Sequence, residues 1–545
     1  MEAFKHALAL LLLVAALSIV GRRLPWPALI TYLAGGVAAA FVPRFPRFAL
    51  DPGFFFLCFL PPLLFSDGWL MPLREFVRAK RPILLLAVGL VSFTTLLVGL
   101  VAHALVPGLP LAMAFALGAI VSPTDAVAVT AATERLRVPA RMSTILSGES
   151  LMNDATGLVA FKFALAAAAV GTFSLGAMAG EFVVISIGGL GIGLAVGYLV
   201  GRLRDVLRSL RVSDTLLETT ISLMTPYAAY LVADALHASA ILSVVACGLY
   251  SGWRDPVRMD AGARQNAFSV WSLVLFWLNG IAFVLLGLQF PALLASVRHH
   301  YTPGQLALFT AAVAGTAMLA RLAWVYPAAY LPHCLASVRR TERRPLQRHV
   351  FVIGWAGMRG TVTLAAALSI PLMAEGGSPY PGRDIVIFLA FGVIVSTLVI
   401  QGTSLEAVIR RLGIHGDEER PKEERLARMT AVEAGLIALR GMEDSAGAPE
   451  HHAALGLAIA EYEQRLAVLT AEGETQRSAH RRRSADLRYH FVALQAERRA
   501  LDELWRSGAI IDEVYRPLQQ LLDHEESMLT ALAPGLAGAG PTVSG

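Results

Sequence analysis

Long apolar stretches recur along residues 1–412 of this chain. Most of them run to roughly 17–28 residues, and about 20 residues suffice for a helix to cross the hydrocarbon core of a bilayer. With 55% hydrophobic and only 16% charged residues, the composition lies far from that of a soluble domain. The sequence therefore predicts an all-α polytopic membrane protein.

About thirteen segments are candidate transmembrane helices. Arg22 and Arg23 follow the first of them where a signal peptide would have a small-residue cleavage site, so that segment is counted as a span. The thirteen predicted spans cover residues 6–21, 26–42, 53–70, 82–106, 109–133, 142–171, 178–201, 214–235, 237–252, 265–290, 305–331, 349–374 and 384–410.

The charges of the loops predict the orientation in the membrane. Every second loop is basic, so that one side holds 21 Lys and Arg residues and the other side, with the N-terminus, holds five. Short basic loops face the cytoplasm. We expect a multi-pass protein of the cell (inner) membrane with its N-terminus outside. The Arg residues orient helices, so nucleic acid is not an expected partner.

The composition changes near residue 413, where Glu, Arg, Ala and Leu at helical spacing replace the apolar runs. The sequence predicts a transmembrane domain over residues 1–412 and a helical cytoplasmic C-terminal domain over residues 413–545. We expect this second domain to regulate the first, by binding a ligand or a protein, or to assist assembly.

Ionisable side chains inside the spans are costly in a bilayer, and they are therefore functional candidates. Few are present. They are Asp67, Asp125, Glu149, Asp154, Lys162, Glu218, Asp234, Arg321 and Arg359.

The predicted span 142–171 carries two neighbouring polar stripes. Ser150 and Asp154 are four residues apart and share a helix face, as do Glu149 and Asn153. A carboxylate beside a hydroxyl and an amide oxygen supplies the hard oxygen ligands that suit a dehydrated cation. The alternative is a packed polar network between helices.

Two spans contain signals for a break in the helix. Pro123 interrupts the fifth span within Ser122 to Asp125, and three glycines punctuate Gly354 to Gly360 in the twelfth. Broken helices expose carbonyls and helix ends near the midplane, where transporters hold ions. The two spans are seven apart in the order, as an inverted repeat of spans 1–6 and 8–13 would require. A simple kink is the alternative for either one alone.

The charged groups of these spans suggest separate roles. Arg359 cannot lose its proton and needs a permanent partner, for which we choose Glu149 in a structural ion pair. Burial and the nearby Asp125 then favour the protonated form of Asp154. Asp154 would hold either a proton or a cation, and Asp67 would reach the site through water.

Taken together, these motifs resemble the sodium/proton antiporters of the first cation:proton antiporter family, the bacterial relatives of the sodium/proton exchangers. The resemblance extends over about residues 5–410. It is carried by Leu60 to Phe65, Ser122 to Asp125, Gly148 to Asp154, Leu285 to Gln289 and Gly354 to Gly360.

The resemblance implies a homodimer in which a mobile core moves against a dimerisation domain. It also implies an antiporter that contributes to pH homeostasis and is not an enzyme, without a cofactor beyond the transported Na⁺ and H⁺. The implied ligands of Na⁺ are Asp154, Asp125, Ser150 and the backbone of Thr124. Many members of the family have Glu in the third span, where this chain has Ser66 followed by Asp67.

The expected activity is exchange of Na⁺ or Li⁺ for H⁺ at a ratio of one to one. Asn153 stands where a related electrogenic family has a second Asp, which implies electroneutral transport. A K⁺/H⁺ antiporter is the near alternative. A pore or non-transporting receptor on the same scaffold is the distant one.

Overall fold

The computed structural model confirms the predicted all-α class. It describes residues 2–24, 26–43, 45, 52–125, 129–130, 138–170, 175–341, 344–373, 380–414, 416, 419–442, 449–470, 473–507 and 509–532. Contacts divide the chain into two compact units, Met1–Gly416 and Asp417–Gly545.

The first half of the membrane unit is a run of helices with short connections. They are α1 (Glu2–Gly21), α2 (Ala28–Ala40), α3 (Pro52–Leu70), α4 (Leu73–Arg78), α5 (Lys80–Leu84), a π-helical segment (Leu85–Leu90), α6 (Val91–Leu105), α7 (Leu111–Val121) and α8 (Ala140–Val170).

The second half continues in the same way. Its helices are α9 (Leu175–Ser209), α10 (Thr215–Ala235), α11 (Ala240–Arg258), α12 (Ala261–Leu288), α13 (Phe290–Val297), α14 (Pro303–Tyr330), a 3₁₀ segment (Leu331–Cys334), α15 (Ala336–Thr341), α16 (Gln347–Trp355), α17 (Thr361–Leu368) and α18 (Arg383–Arg411).

Seven stretches of helix, among the described residues, are long and apolar enough to cross a membrane by length and composition. The other predicted spans contain helices that are shorter, in two pieces or less apolar, so the count of thirteen stays a prediction. The seven are Phe4–Gly21, Lys80–Leu105, Ala140–Ala168, Val183–Ser209, Ala261–Val297, Pro303–Cys334 and Arg383–Arg411.

The membrane unit consists of two helical bundles. The first bundle contains α1 to α3 together with α9 to α12, and the second contains α5 to α8 together with α14 and α16 to α18. Each bundle thus combines three spans from either half of the predicted repeat, and the first bundle also contains the linking span. Helix α3 meets α8 and α17 where the bundles touch, and α12 meets α17 there.

The second unit contains four helices, which are α19 (Glu419–Arg440), α20 (Pro449–Thr470), α21 (Gly473–Arg506) and α22 (Asp512–Leu532). Helices α19 and α20 pair, as do α21 and α22. Leu494, Leu522 and Leu529 form the buried contact of the second pair, as expected for amphipathic helices that bury one face.

Candidate functional site

Two interrupted helices cross in the second bundle, as the sequence predicts. Helix α7 ends at Val121 and residues 122–125 are not helical, while residues 356–360 separate α16 from α17. The backbone N–H of Asp125 donates to the carbonyl oxygen of Met358 over 2.8 Å. Most of the chain beyond Asp125 in this span lies outside the described residues.

A small cavity, about 30 Å³, lies beside this crossing. This space is sufficient to hold a water molecule, and therefore also a dehydrated monovalent cation. The lining comes from both bundles. It consists of Leu60, Leu63, Leu64, Asp67, Pro123, Thr124, Asp125, Ser150, Asp154, Asn279, Gly360, Val362 and Thr363.

The cavity brings together five of the six predicted binding residues. Ser150 and Asp154 line it from one face of α8, and Thr124 and Asp125 line it from the interruption after α7. Asp67 reaches it from α3 in the other bundle. Ser150 and Asp154 are buried, with 5% and 8% of their surface exposed, so charge placed there is largely removed from solvent.

The predicted partner of Glu149 was wrong. Arg321 of α14 takes that place, because Nη1 and Nη2 of its guanidinium donate to the two carboxylate oxygens of Glu149, the Nη2 bond measuring 2.8 Å. Both side chains are buried. This two-bond geometry is the strong form of an Arg–carboxylate pair, so the ion pair joins α8 to α14.

Arg359 binds backbone carbonyls instead. Its Nε donates to the carbonyl oxygen of Val121 over 2.9 Å, and Nη1 donates to that of Gly357. Because both helices are interrupted, these two carbonyl oxygens do not accept a hydrogen bond from a backbone N–H of the same helix. The last carbonyls of any helix are free in this way. The carbonyl dipoles of the interrupted backbone therefore stabilise the Arg359 guanidinium without a carboxylate partner, which explains the difference from the sequence prediction.

Asn153 is the one predicted binding residue that does not line the cavity. Its amide nitrogen donates to Oγ1 of Thr124 over 2.9 Å, and that hydroxyl donates to Glu149 over 3.2 Å. The hydroxyl of Thr124 is thus engaged by both Asn153 and Glu149. Asn153 holds the interrupted segment in place.

Gly360 permits Asp125 to approach the start of α17. A Cβ atom built at Gly360 would overlap Oδ2 of the Asp125 carboxylate. The Asp125 carboxylate therefore lies at the N-terminus of α17, and helix N-termini stabilise negative charge.

Alanine at position 360 should displace the Asp125 carboxylate from the cavity. We expect Gly360→Ala to lower kcat/KM for the transported cation by about tenfold or more, since displacements near 1 Å at a reacting centre have effects of that order. The measurement is cation-dependent proton movement in vesicles. Gly315→Ala on α14 is the matched control, because no atom lies within 4 Å of its added Cβ. Equal activities of the two variants would show that the close approach has no function.

Two polar residues of the cavity were missed by the sequence reasoning, Asn279 on α12 and Thr363 on α17. Neither side chain is ionisable, so neither belongs to the set of charged residues from which the site was predicted. Asn279 lies between Leu278 and Gly280 in an apolar helix. A polar side chain in such a run is a signal by itself.

Glu218, another ionisable group of the predicted spans, is part of a separate buried cluster. Arg208 donates to it over 3.1 Å and Ser213 over 2.8 Å. Arg204 lies 3.5 Å from Glu218 and 3.0 Å from Asp255. These contacts join α9, α10 and α11 within the first bundle, so Glu218 is structural.

Sequence comparison identifies the family. Residues 8–411 match the sequence model of a family described as sodium/hydrogen exchanger, transmembrane. The chain belongs to this family. Like other sodium/hydrogen exchangers it is a multi-pass membrane antiporter and not an enzyme, as the sequence predicts.

Relatives of this sodium/hydrogen exchanger are named as antiporters. An antiporter of Bacillus subtilis, named for sodium, potassium, lithium and rubidium exchange with protons, is 36% identical over 531 residues, covering 96% of this chain and 78% of the relative. The Na⁺/H⁺ antiporter ApNhaP of Aphanothece halophytica is 30% identical over 453 residues, covering 82% of this chain and 81% of the relative.

A solved structure shares the fold. It is that of the sodium proton antiporter MjNhaP1 from Methanocaldococcus jannaschii, with a TM-score of 0.58 and 17% identity, covering 76% of this chain and 99% of the other. At this identity the likeness concerns the fold alone.

Proposed function

We propose that this protein exchanges Na⁺ or Li⁺ for H⁺ at a ratio of one to one, and that the cation and the proton compete for Asp154. One observation carries the proposal. Three carboxylates, those of Asp67, Asp125 and Asp154, line one small cavity at the crossing of two interrupted helices. Ion sites of transporters lie at such interruptions.

The ligand set consists of oxygen atoms. The Asp154 and Asp125 carboxylates, the Ser150 hydroxyl and the Thr124 carbonyl would bind the ion directly, and Asp67 would bind it through water. Hard cations prefer such oxygen ligands. This protein would need no resident cofactor for the exchange, since Na⁺ and H⁺ are the transported ions.

The charge balance favours electroneutral exchange. The Glu149–Arg321 pair is fixed, and Arg359 keeps its proton among carbonyls. The second bundle then carries the same total charge whether Asp154 holds a proton or a monovalent cation. The corrected ion pair leaves this balance as it was, because Glu149 is paired with one arginine in either assignment.

The two bundles supply a means of alternating access. The cavity lies where they meet, so a displacement of the second bundle against the first would open it to one side of the membrane and then to the other. We place the protein in the cell (inner) membrane as a homodimer, with its N-terminus outside and residues 413–545 in the cytoplasm, where they regulate transport or assist assembly.

Competition for Asp154 predicts how the KM for Na⁺ depends on pH. In the pH range where the proton occupies Asp154, each fall of one pH unit should raise this KM by about tenfold while the maximal rate stays the same. Exchange is measured in vesicles as loss of a pH gradient on addition of Na⁺, Li⁺ or K⁺. Electroneutral transport also predicts that a solid-supported membrane shows no transient current that scales with the net charge moved per cycle. A KM that is independent of pH, or a current proportional to the rate, would contradict the mechanism.

A K⁺/H⁺ antiporter remains the second candidate, because the Bacillus subtilis relative is named for potassium and rubidium as well as sodium and lithium. The same vesicle assay with the three cations decides between them. A pore or receptor would dissipate no pH gradient in response to any of the three.

A further inference from the structure

We infer that Asn279 is a ligand of the transported cation that the first bundle supplies, and that it acts in only one of the two access states. This inference rests on the proposed function. Asn279 lies on α12 and lines the cavity that contains Asp67, Asp125 and Asp154.

Within the described part of the chain, the polar surroundings of the Asn279 side chain are in the cavity that it lines, so its binding partner is expected there. Trp277, Leu278 and Ile281 are its neighbours along an apolar helix. A polar side chain at membrane depth requires a partner. No hydrogen bond joins the Asn279 side chain to another residue that the structure describes. The half-buried amide therefore faces a space whose occupant is an ion or a water molecule.

The chemistry of the amide suits a cation. Its oxygen is a neutral hard donor, of the kind that replaces water in ion-selective sites. The carboxylates of the cavity already supply negative charge, and a further neutral oxygen adds a ligand without another proton-binding group. Asn279 would thus increase cation affinity and leave the one-to-one proton count unchanged.

The position of Asn279 on the first bundle makes its contribution one-sided. Asp125, Ser150 and Asp154 belong to the second bundle and would move with the ion. A displacement between the bundles alters the distance from α12 to those ligands. Asn279 therefore binds the ion in the state described here and loses it in the other.

The test compares Asn279→Ala in inverted and in right-side-out membrane vesicles, with Na⁺ as the probe. We expect the KM for Na⁺ to rise by about fivefold or more in one orientation and to stay within about twofold of wild type in the other, as loss of one neutral ligand implies. Asn279→Ser, which keeps an oxygen, should recover part of the affinity. Ser150→Ala should raise the KM in both orientations.

Asn266→Ala is the matched control, because Asn266 lies on the same helix and donates to Thr219 over 2.9 Å, away from the cavity lining. A KM of Asn279→Ala that is unchanged in both orientations, or raised equally in both, would overturn the inference while wild-type exchange persists. Absence of exchange in the wild type would instead overturn the proposed function.

Discussion

We expect Asp154→Asn to lose cation-dependent proton exchange while the protein remains folded. Asparagine has nearly the same shape as aspartate, but it neither binds a proton at neutral pH nor carries the charge that holds a cation. Loss of a charged ligand from a buried site costs about 3 kcal/mol or more, which corresponds to a hundredfold or larger fall in kcat/KM. The measurement is the rate at which added Na⁺ dissipates a pH gradient in vesicles.

Asp234→Asn serves as the control for this substitution. Asp234 lies in a predicted span on α10, yet it is exposed and does not line the cavity. Its replacement should leave exchange unchanged. Asp154→Glu keeps a carboxylate and should retain some exchange with a weaker affinity for the cation. Exchange at the wild-type rate in Asp154→Asn would rule out Asp154 as the shared group.

The interruptions and the polar face of α8 could be predicted because they follow from local chemistry. Pro123 and the glycines from Gly354 to Gly360 cannot continue a helix without cost. Ser150 and Asp154 share a face simply through the helical period. These features required no knowledge of how the helices pack.

The hydrogen-bond partners of Arg321 and Arg359 could not be predicted from local sequence. The sequence shows Glu149, Arg321 and Arg359 as charges, whereas the carbonyls of Val121 and Gly357 become acceptors only once the helices are broken. Which arginine meets the carboxylate depends on where α14 lies against α8. Asn279 is different, because a polar residue in an apolar helix is visible in the sequence, and only its place beside the three carboxylates depends on the meeting of two bundles.

The ion pair between Arg321 and Glu149 should have the largest effect on stability. Arg321→Met leaves the Glu149 carboxylate buried without its partner, and breaking a buried pair in this way costs about 3–5 kcal/mol. We therefore expect the free energy of unfolding of Arg321→Met to fall by about this amount. Adding Glu149→Gln removes the stranded charge, so the double variant should recover most of the lost stability.

A double-mutant cycle distinguishes this pair from the pairing of Glu149 with Arg359 that the sequence suggested. Directly bonded residues show coupling of about 0.5–3 kcal/mol, and we expect Glu149 and Arg321 to lie at the upper end of that range. Glu149→Gln should give no comparable rescue of Arg359→Met, because Val121 and Gly357 would keep unsatisfied carbonyls whatever occupies position 149. Free energies of unfolding in detergent supply both cycles. Stronger coupling of Glu149 to Arg359 than to Arg321 would reverse the assignment.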